Sequence, residues 1–365
     1  MTHPDAATLS LDQIPEAARQ VLAEFIDSRR SQVAEIGPAV TTAMSYLEDF
    51  VLGGGKRVRP LFAWAGFVGA GGLDGDEDPN AVLRAVSSLE FIQACALVHD
   101  DIIDSSDTRR GKPTVHRAAA AAHREHGWRG DADHFGESVA ILVGDLALIW
   151  AEDMLQDSGL SPAALARVRA PWVGMRTEVI GGQLLDIYLE NTGSEDVGSS
   201  QSVNRFKTAA YTIERPLHLG AAIAQAPDRL VEAFRGYGRD IGVAFQLRDD
   251  QLGVFGDPEV TGKPASDDLR EGKRTVLLAT ALQRADANAP EAAAQLRAGV
   301  GVAADPAELS RLAQLIADTG APEAVEEMIT ELTASGLGHL AEAGVSAEVT
   351  ETLRDLAIRA TERRS

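Results

Sequence analysis

Apolar residues recur along this chain with the spacing of α-helices and show little of the alternation that β-strands require. The long segments that are apolar on at least one face are residues 82–103, 140–155, 171–189 and 230–252. Elsewhere Gly, Asp, Pro and Ser cluster, which predicts loops at 69–80, 123–135, 191–203 and 255–274. The pattern predicts an all-α fold.

The whole chain, residues 1–365, is expected to form one large helical domain. A length of 365 residues allows two domains, but the Gly and Pro breaks fall between helix-length segments and do not separate one group of polar motifs from another. The sequence has no repeat with the period of a solenoid.

Composition and charge restrict the kinds of partner that the protein is expected to bind and the compartment in which it is expected to work. A net charge of -21 argues against a nucleic acid or an anionic membrane surface as partner, because phosphate backbones are met with clustered positive charge. The single cysteine, Cys95, excludes an intramolecular disulfide, and its apolar surroundings indicate a buried filler rather than a nucleophile. Residues 1–11 lack the features of a signal peptide, and no apolar run approaches the roughly 18 residues that span a bilayer. We therefore expect a cytoplasmic protein without stable membrane insertion.

Two acidic clusters stand at the ends of apolar runs, where carboxylates are rare without a partner. The first contains Asp100, Asp101 and Asp104, and the second contains Asp249 and Asp250. In a helix, residues four apart lie on one face, and like charges there destabilise the helix unless a cation is shared. A solvated acidic helix end explains one such cluster as well, but two in matched contexts favour a site for Mg²⁺, which prefers oxygen ligands.

Basic residues form groups near these acids, although the chain is acidic overall. Glycines stand just before a helix start that carries positive charge at 53–60, a geometry suited to a diphosphate. Such a glycine-rich stretch is more often a flexible turn when it occurs alone. The other groups are residues 107–113, residues 207–212 with a helix opening at Thr208, and residues 262–275.

Taken in order, these elements resemble the trans-isoprenyl diphosphate synthases, the polyprenyl synthetase family. The resemblance rests on GGGKRVRP, HDDIIDSSDTRRGKPTVH, GGQLLD, KTAAYT, FQLRDD and the later GK pairs, between Gly53 and Thr275. It implies a helical bundle of the isoprenoid synthase type I fold, with a deep central cavity and the two aspartate motifs facing each other across its mouth. It also implies a homodimer, and within the family the chain looks like a bacterial geranylgeranyl diphosphate synthase.

The resemblance implies a role for each matched residue. Mg²⁺ bound by Asp100, Asp104 and Asp249 would assist the departure of diphosphate from the allylic substrate. The cations expected to assist there are Arg109, Lys207 and Lys263. The diphosphate of isopentenyl diphosphate would be held by Lys56, Arg59 and Arg110, with Gln93 beside them. Thr208 and Gln246 match positions that face the allylic diphosphate or its developing cation, and Lys273 matches a later lysine of the pattern.

The chain departs from the family pattern at two positions. Gln93 stands where many relatives carry a histidine, and an amide donates a hydrogen bond but no charge. Gly253 stands where the second motif commonly has a third aspartate, so metal binding there should be weakened but not abolished. In GGQLLD, a helix-packing role for Gly181 and Gly182 and a capping role for Asp186 explain the segment as well as a functional role does.

Several alternatives remain open at this point. A class I terpene cyclase shares the metal-assisted ionisation but needs no second diphosphate pocket, and a non-enzymatic partner subunit would be expected to have lost first-motif aspartates. A di-iron carboxylate protein would need Glu and Glu-x-x-His pairs, which these runs lack.

In the family, residues one and two turns before the first motif set product length. Small Cys95 and Ala96, above Ile92 and Phe91, predict geranylgeranyl diphosphate over farnesyl or longer products.

Overall fold

The computed structural model describes residues 5–257 and 266–361, and helices make up most of them. The N-terminal helices are α1 (Ile14–Ile36), α2 (Pro38–Leu52), α3 (Val58–Gly69), α4 (Pro79–Ser87), α5 (Leu89–Ile103), α6 (Val115–Glu125) and α7 (Ala132–Gln156). They are followed by α8 (Pro162–Thr192), α9 (Val197–Val203), a π-helix (Asn204–Glu214), α10 (Arg215–Ile223) and α11 (Asp228–Phe255). The last are α12 (Asp267–Glu271), α13 (Val276–Asn288), α14 (Pro290–Gly299), α15 (Pro306–Asp318), α16 (Ala321–Ala343) and α17 (Ala347–Thr361). Strands β1 (Thr108–Arg109) and β2 (Lys112–Pro113) pair antiparallel.

The chain divides into two compact units. The first comprises Met1–Trp172 and Pro216–Pro227, and the second comprises Val173–Arg215 and Asp228–Ser365. The two units differ in which parts of the chain pack together, and this does not show whether they fold independently. The expectation of one domain over residues 1–365 therefore stays a prediction.

In the first unit, α5 packs on α7 and also contacts α3, and large apolar side chains from these helices form the unit's core. Trp64, Phe67 and Phe91 are almost completely buried there. Where α3 meets the start of α10, a side chain at Gly66 would collide with the backbone of Leu217, so glycine permits this close approach. The first unit's polar motifs lie outside this core, at the N-terminus of α3 and the C-terminus of α5.

The second unit is built around α11, which packs against the π-helix and α16. Its core contains Leu247, Leu277, Leu296, Leu312 and Ile316. Glycines again allow close helix packing, because a side chain at Gly242 would lie 2.5 Å from the Cα of Ala209 in the π-helix. The second acidic cluster lies on the last turns of α11.

The all-α prediction is confirmed, but several boundaries differ. Residues 82–103 form two helices that meet at Ser88, and the loop predicted at 191–203 contains α9. The helix predicted to open at Thr208 begins earlier, as the π-helix from Asn204. Most of the predicted segments are shorter than the helices found, because apolar periodicity does not register a polar first or last turn. The predicted loop 255–274 holds α12, and its residues 258–265 lie outside the described part.

A membrane-length apolar stretch does occur among the described residues, contrary to the sequence prediction. Pro79–Ile103 is long and apolar enough to cross a bilayer, but its most apolar window is 78% buried inside the protein. Such burial is typical of a core helix, and α4 and α5 share this stretch.

Candidate active site

The glycine loop of the first unit ends in a tight turn into α3. Gly54 and Gly55 have φ values of 138° and 115°, and Arg57 has a φ of 47°. Side chains rarely adopt the first of these conformations, so glycine is required there. The turn leaves Lys56 exposed and buries Arg59 in the first turn of α3, where its Nη1 donates to Oε1 of Gln93 at 2.6 Å. Two predicted site residues, Arg59 and Gln93, are therefore in contact.

A β-hairpin places two further cations over this loop. Between β1 and β2, Arg110 and Gly111 have φ values of 54° and 73°, the pair of left-handed residues that a two-residue hairpin turn requires. Nη1 of Arg110 donates to the Gly54 carbonyl at 2.7 Å, and Lys112 Nζ lies 3.6 Å from the position of a side chain at Gly53. Lys112 was given no role from the sequence, and only its place after Gly111 pointed to it.

Glu90 is a buried acid that sequence reasoning missed. Nη1 of Arg57 donates to its Oε2 at 3.1 Å, and both side chains are less than a tenth exposed. Burial raises the pKa of Glu90 above its usual value, and the nearby charges of Arg59, Arg57 and Arg110 oppose that rise. Glu90 is thus hydrogen-bonded by Arg57 and lies close enough to Arg59 and Arg110 to interact with their charge, and the excess positive charge favours an anion such as a diphosphate. The only sequence signal was an acid in the first turn of an apolar helix.

The first acidic cluster lies at the C-terminal end of α5. Asp100 and Asp104 are one turn apart and half-buried, and the Asp104 N–H donates to the Asp100 carbonyl at 2.8 Å. Asp101 is buried, and Nε of Arg109 donates to its Oδ1 at 2.6 Å. Burial raises the pKa of Asp101 to about 6 against the opposing charge of Arg109. Arg109, predicted to contact a diphosphate, is bound here to the aspartates.

The π-helix of the second unit positions Lys207 and Thr208. A Cβ at Gly182 of α8 would lie 2.3 Å from the backbone nitrogen of Lys207, whereas a Cβ at Gly181 would have no neighbour within 4 Å. The packing prediction therefore holds for Gly182 and is wrong for Gly181. Asp186 is not a cap, because it lies within α8 and its Oδ2 accepts from Lys207 Nζ at 2.5 Å. A π-helix widens the backbone locally and is frequent at functional sites.

A chain of hydrogen bonds joins the π-helix to the second acidic cluster. Thr208 Oγ1 donates to Gln246 Oε1 at 2.7 Å, and Gln246 Nε2 donates to Asp250 Oδ1 at 2.7 Å. Asn204 Nδ2 donates to the other oxygen of Asp250 at 3.4 Å. Burial, and to a smaller extent the neighbouring carboxylate of Asp268, raise the pKa of Asp250 to about 7, while Gln246 opposes this. Two predicted catalytic residues, Thr208 and Gln246, are thus in contact.

The remaining predicted residues of the second unit are placed unevenly. Asp249 is half-buried near the end of α11, which stops at Phe255. Lys273 follows α12, and its Nζ lies 3.3 Å from Glu271 Oε2. Lys263 lies outside the described residues.

The donors present suit Mg²⁺ better than a transition metal. The first cluster offers carboxylate oxygens only, and Oδ2 of buried Asp101 has no hydrogen bond within the described ranges. In those ranges no group of three or more His, Cys, Asp and Glu side chains is arranged as a ready metal cage. Mg²⁺ keeps several waters and binds through one or two carboxylates together with substrate phosphates, so the clusters fit it without a closed cage.

Comparison with known proteins agrees with this chemistry. The family model described as polyprenyl synthetase matches residues 40–319. A geranylfarnesyl diphosphate synthase from Aeropyrum pernix is 33% identical over 276 residues, which are 75% of this chain and 79% of that protein. A (2E,6E)-farnesyl diphosphate synthase from Mycobacterium tuberculosis is 32% identical over 305 residues, covering 83% of this chain and 78% of the relative.

A solved structure provides a closer match. It is a geranylgeranyl pyrophosphate synthase from Corynebacterium glutamicum complexed with isoprenyl diphosphate and magnesium. The identity is 62%, the TM-score is 0.95, and the match covers 98% of this chain and 100% of the other. The sequence prediction of the family is confirmed.

Proposed function

The chain belongs to the polyprenyl synthetase family, and on that premise we propose that it condenses isopentenyl diphosphate with an allylic diphosphate to make a trans-polyprenyl diphosphate. The observation that carries the proposal is the group of cations around Glu90. This group would bind a diphosphate that stays, and Lys207 of the π-helix would act on one that leaves. A terpene cyclase ionises a single diphosphate and needs no such second group.

Ionisation breaks the bond between C1 and oxygen of the allylic diphosphate, and the electron pair leaves with diphosphate. Asp100, Asp104 and Asp249 would hold Mg²⁺, which neutralises the leaving charge as a Lewis acid. Lys207 and Arg109 add positive charge once substrate displaces their present partners, Asp186 and Asp101. Preorganised charge of this kind is usually the largest catalytic contribution.

Carbon–carbon bond formation follows from the position of the second substrate. Lys56, Arg59 and Arg110 hold the diphosphate of isopentenyl diphosphate, so its double bond is free to donate electrons to the allylic cation. The resulting tertiary cation loses a proton, which passes to the released diphosphate, and a new double bond forms. We propose that Thr208 and Gln246, which are hydrogen-bonded to each other, face the allylic diphosphate or its developing cation.

The product is proposed to be geranylgeranyl diphosphate. Cys95 and Ala96 precede Asp100 by about one turn and add little volume. Deeper along α5, Phe91 is fully buried and packs edge-on against Phe25 and Trp150, with ring centroids 5.5 and 6.0 Å away. The three rings also pack on one another, and we propose that this rigid cluster, together with Ile92 one turn below Ala96, limits the length of the product. The identity of 62% to a geranylgeranyl pyrophosphate synthase supports the same length.

Substrate dependence separates the two candidate activities. The protein is incubated with geranyl or farnesyl diphosphate, with and without isopentenyl diphosphate, and products are separated by chromatography. The proposal requires that diphosphate release and a longer prenyl product both depend on isopentenyl diphosphate. A hydrocarbon released from the allylic substrate alone would favour a cyclase.

We also propose a homodimer. On α7, Leu142 and Ile149 are exposed by 65% and 57%, and their spacing of two turns puts them on one face. Exposed apolar stripes of this kind mark interaction surfaces. Sedimentation of Leu142→Glu should show monomer, whereas Ile36→Glu, at a residue 70% exposed outside this stripe, should sediment as wild type. Equal behaviour of both variants would exclude this surface.

A further inference from the structure

The π-helix that carries Lys207 and Thr208 is unusually long. π-Helices are rare and occur mostly as single turns inside α-helices, whereas this one extends over 11 residues, Asn204–Glu214. Its hydrogen-bond pattern persists to its end, because the N–H of Arg215 donates to the carbonyl of Ala210, five residues earlier. A helix type that is so rarely adopted needs support from side chains and neighbouring elements to persist over this length.

An ion pair within the π-helix spans nine residues. Nη1 of Arg205 donates to Oε2 of Glu214. In an α-helix of 3.6 residues per turn, positions nine apart are separated by about two and a half turns and lie on opposite faces. With hydrogen bonds from i to i+5, a π-helix has about 4.4 residues per turn, so the same positions lie about two turns apart on one face. The pair can therefore close in the π register and not in the α register.

Glu214 also connects the π-helix to α11. Its side chain is completely buried, and Oε1 accepts from Nε of Arg235 on α11 at 3.1 Å. Gly238 permits close approach of the two backbones, since a Cβ there would lie 2.4 Å from the Cα of Glu214. Arg205 and Arg235, each less than a third exposed, thus share one buried carboxylate. Removing the charge of one partner from such a group is costly, because it leaves buried charge uncompensated.

The register of the helix determines the direction of Lys207 and Thr208. Each residue turns by about 100° in an α-helix and by only about 80° in a π-helix. Relative to Glu214, a change of register would therefore rotate Thr208 about the helix axis by roughly 110° over six residues. The hydrogen bonds from Thr208 to Gln246 and from Lys207 to Asp186 depend on the π register.

We infer that Glu214 is a positioning residue. Paired with Arg205 and Arg235, it holds the register in which Lys207 and Thr208 act on the leaving diphosphate. The catalytic consequence rests on the proposed function, whereas the register can be measured without turnover. Glu214 touches no substrate in this scheme, so its replacement should affect ionisation and not the binding of isopentenyl diphosphate, whose proposed cations belong to the first unit.

The kinetic test removes the charge of Glu214 and keeps its shape. Glu214→Gln should lower kcat at least about tenfold, since small displacements in a site are costly, while the KM for isopentenyl diphosphate stays within about twofold. Arg205→Gln removes the contact within the π-helix and leaves Glu214 bonded to Arg235, and it should cause a similar loss. The double variant should be no slower than the slower single variant, because the pair acts as a unit. Glu232→Gln removes the exposed acid that also pairs with Arg235, and as the matched control it should keep the wild-type kcat.

Hydrogen exchange tests the register independently of turnover. The backbone amides of residues 209–214 should exchange at least about tenfold faster in Glu214→Gln and Arg205→Gln than in wild type. In Glu232→Gln they should exchange at the wild-type rate. Exchange and kcat are both measured well below the melting temperature of each variant.

Three results would overturn the inference. They are a wild-type kcat for Glu214→Gln and Arg205→Gln, losses that multiply in the double variant, and exchange that quickens equally throughout α11 and α16. The last result would make Glu214 a general support of the fold. If wild-type protein formed no longer prenyl product, the proposed function itself would fail, and exchange in residues 209–214 would still decide whether Glu214 holds the register.

Discussion

Asp100 and Asp104 lie one helix turn apart and are only half-buried. Partial burial distinguishes acids that can bind a cation from acids that are enclosed in the core. Asp101 shows the contrast, since its side chain is 1% exposed and is held by Arg109. At the scale of residues, the first motif therefore contains two half-buried aspartates, which we propose as metal ligands, and one buried aspartate that orders the arginine.

Replacing Asp100 or Asp104 by Ala should nearly abolish turnover while the protein stays folded. Loss of a metal ligand removes several kcal/mol of leaving-group stabilisation, but removing one of several like charges should not lower the stability of the metal-free protein. Turnover and thermal melting are measured on the same samples. A near-wild-type rate in either variant would refute the assigned role.

The two groups of cations should affect different kinetic constants. Lys56→Ala and Arg59→Ala should chiefly raise the KM for isopentenyl diphosphate, because they bind the diphosphate that stays. Lys207→Ala should chiefly lower kcat, because its charge acts on the one that leaves. Steady-state kinetics are recorded with each substrate varied in turn. Equal effects of all three variants on both substrates would contradict the assignment.

At the scale of elements, the π-helix is the part of the site most dependent on its neighbours. Ala at Gly182 would collide with the Lys207 backbone, and a backbone collision cannot be relieved by a rotamer change. Gly182→Ala should therefore lower kcat at least about tenfold, since small displacements in a site are costly, and should lower the melting temperature. Gly181→Ala is the adjacent control, with open space around it, and should gain about 0.5–1 kcal/mol from helix propensity. Wild-type kcat for Gly182→Ala would contradict the close approach.

Helix α5 should set product length through its residues below Asp100. Cys95→Phe or Ala96→Phe should shorten the product, because the added ring fills volume that later isoprene units would occupy. Cys95→Ala adds no volume and should leave the product length unchanged. Chromatography of dephosphorylated products decides the matter. A wild type that stops at farnesyl, or runs on to thirty carbons or more, would show that the aromatic cluster does not limit the product as proposed.

The sequence predicted helices well where their apolar period extends over several turns, as in α7 and α11. It did not predict the hairpin at Arg110 and Gly111, since two-residue strands carry no period and only Gly111 marks the turn. The π-helix is equally invisible, because its register depends on close packing by Gly182 and Gly242 from other helices.

Buried charge was the other feature that sequence alone left undetermined. Glu90 and Asp268 look like ordinary surface acids in an acidic chain, and only tertiary packing shows that one faces arginines and the other faces Gly253. Motif spacing singled out Asp100, Asp104 and Asp249 as candidates, because those acids are close in sequence to the runs that position them; that they bind a metal stays a prediction.

At the scale of the whole molecule, one claim is central: the protein joins isopentenyl units to an allylic diphosphate in a Mg²⁺-dependent reaction. The most direct measurement is incubation with labelled isopentenyl diphosphate and farnesyl diphosphate, with Mg²⁺ or with a chelator, followed by chromatography of the dephosphorylated products. We predict label in a twenty-carbon alcohol only when Mg²⁺ is present. No incorporation of label into a longer chain, or incorporation unaffected by the chelator, would contradict the claim.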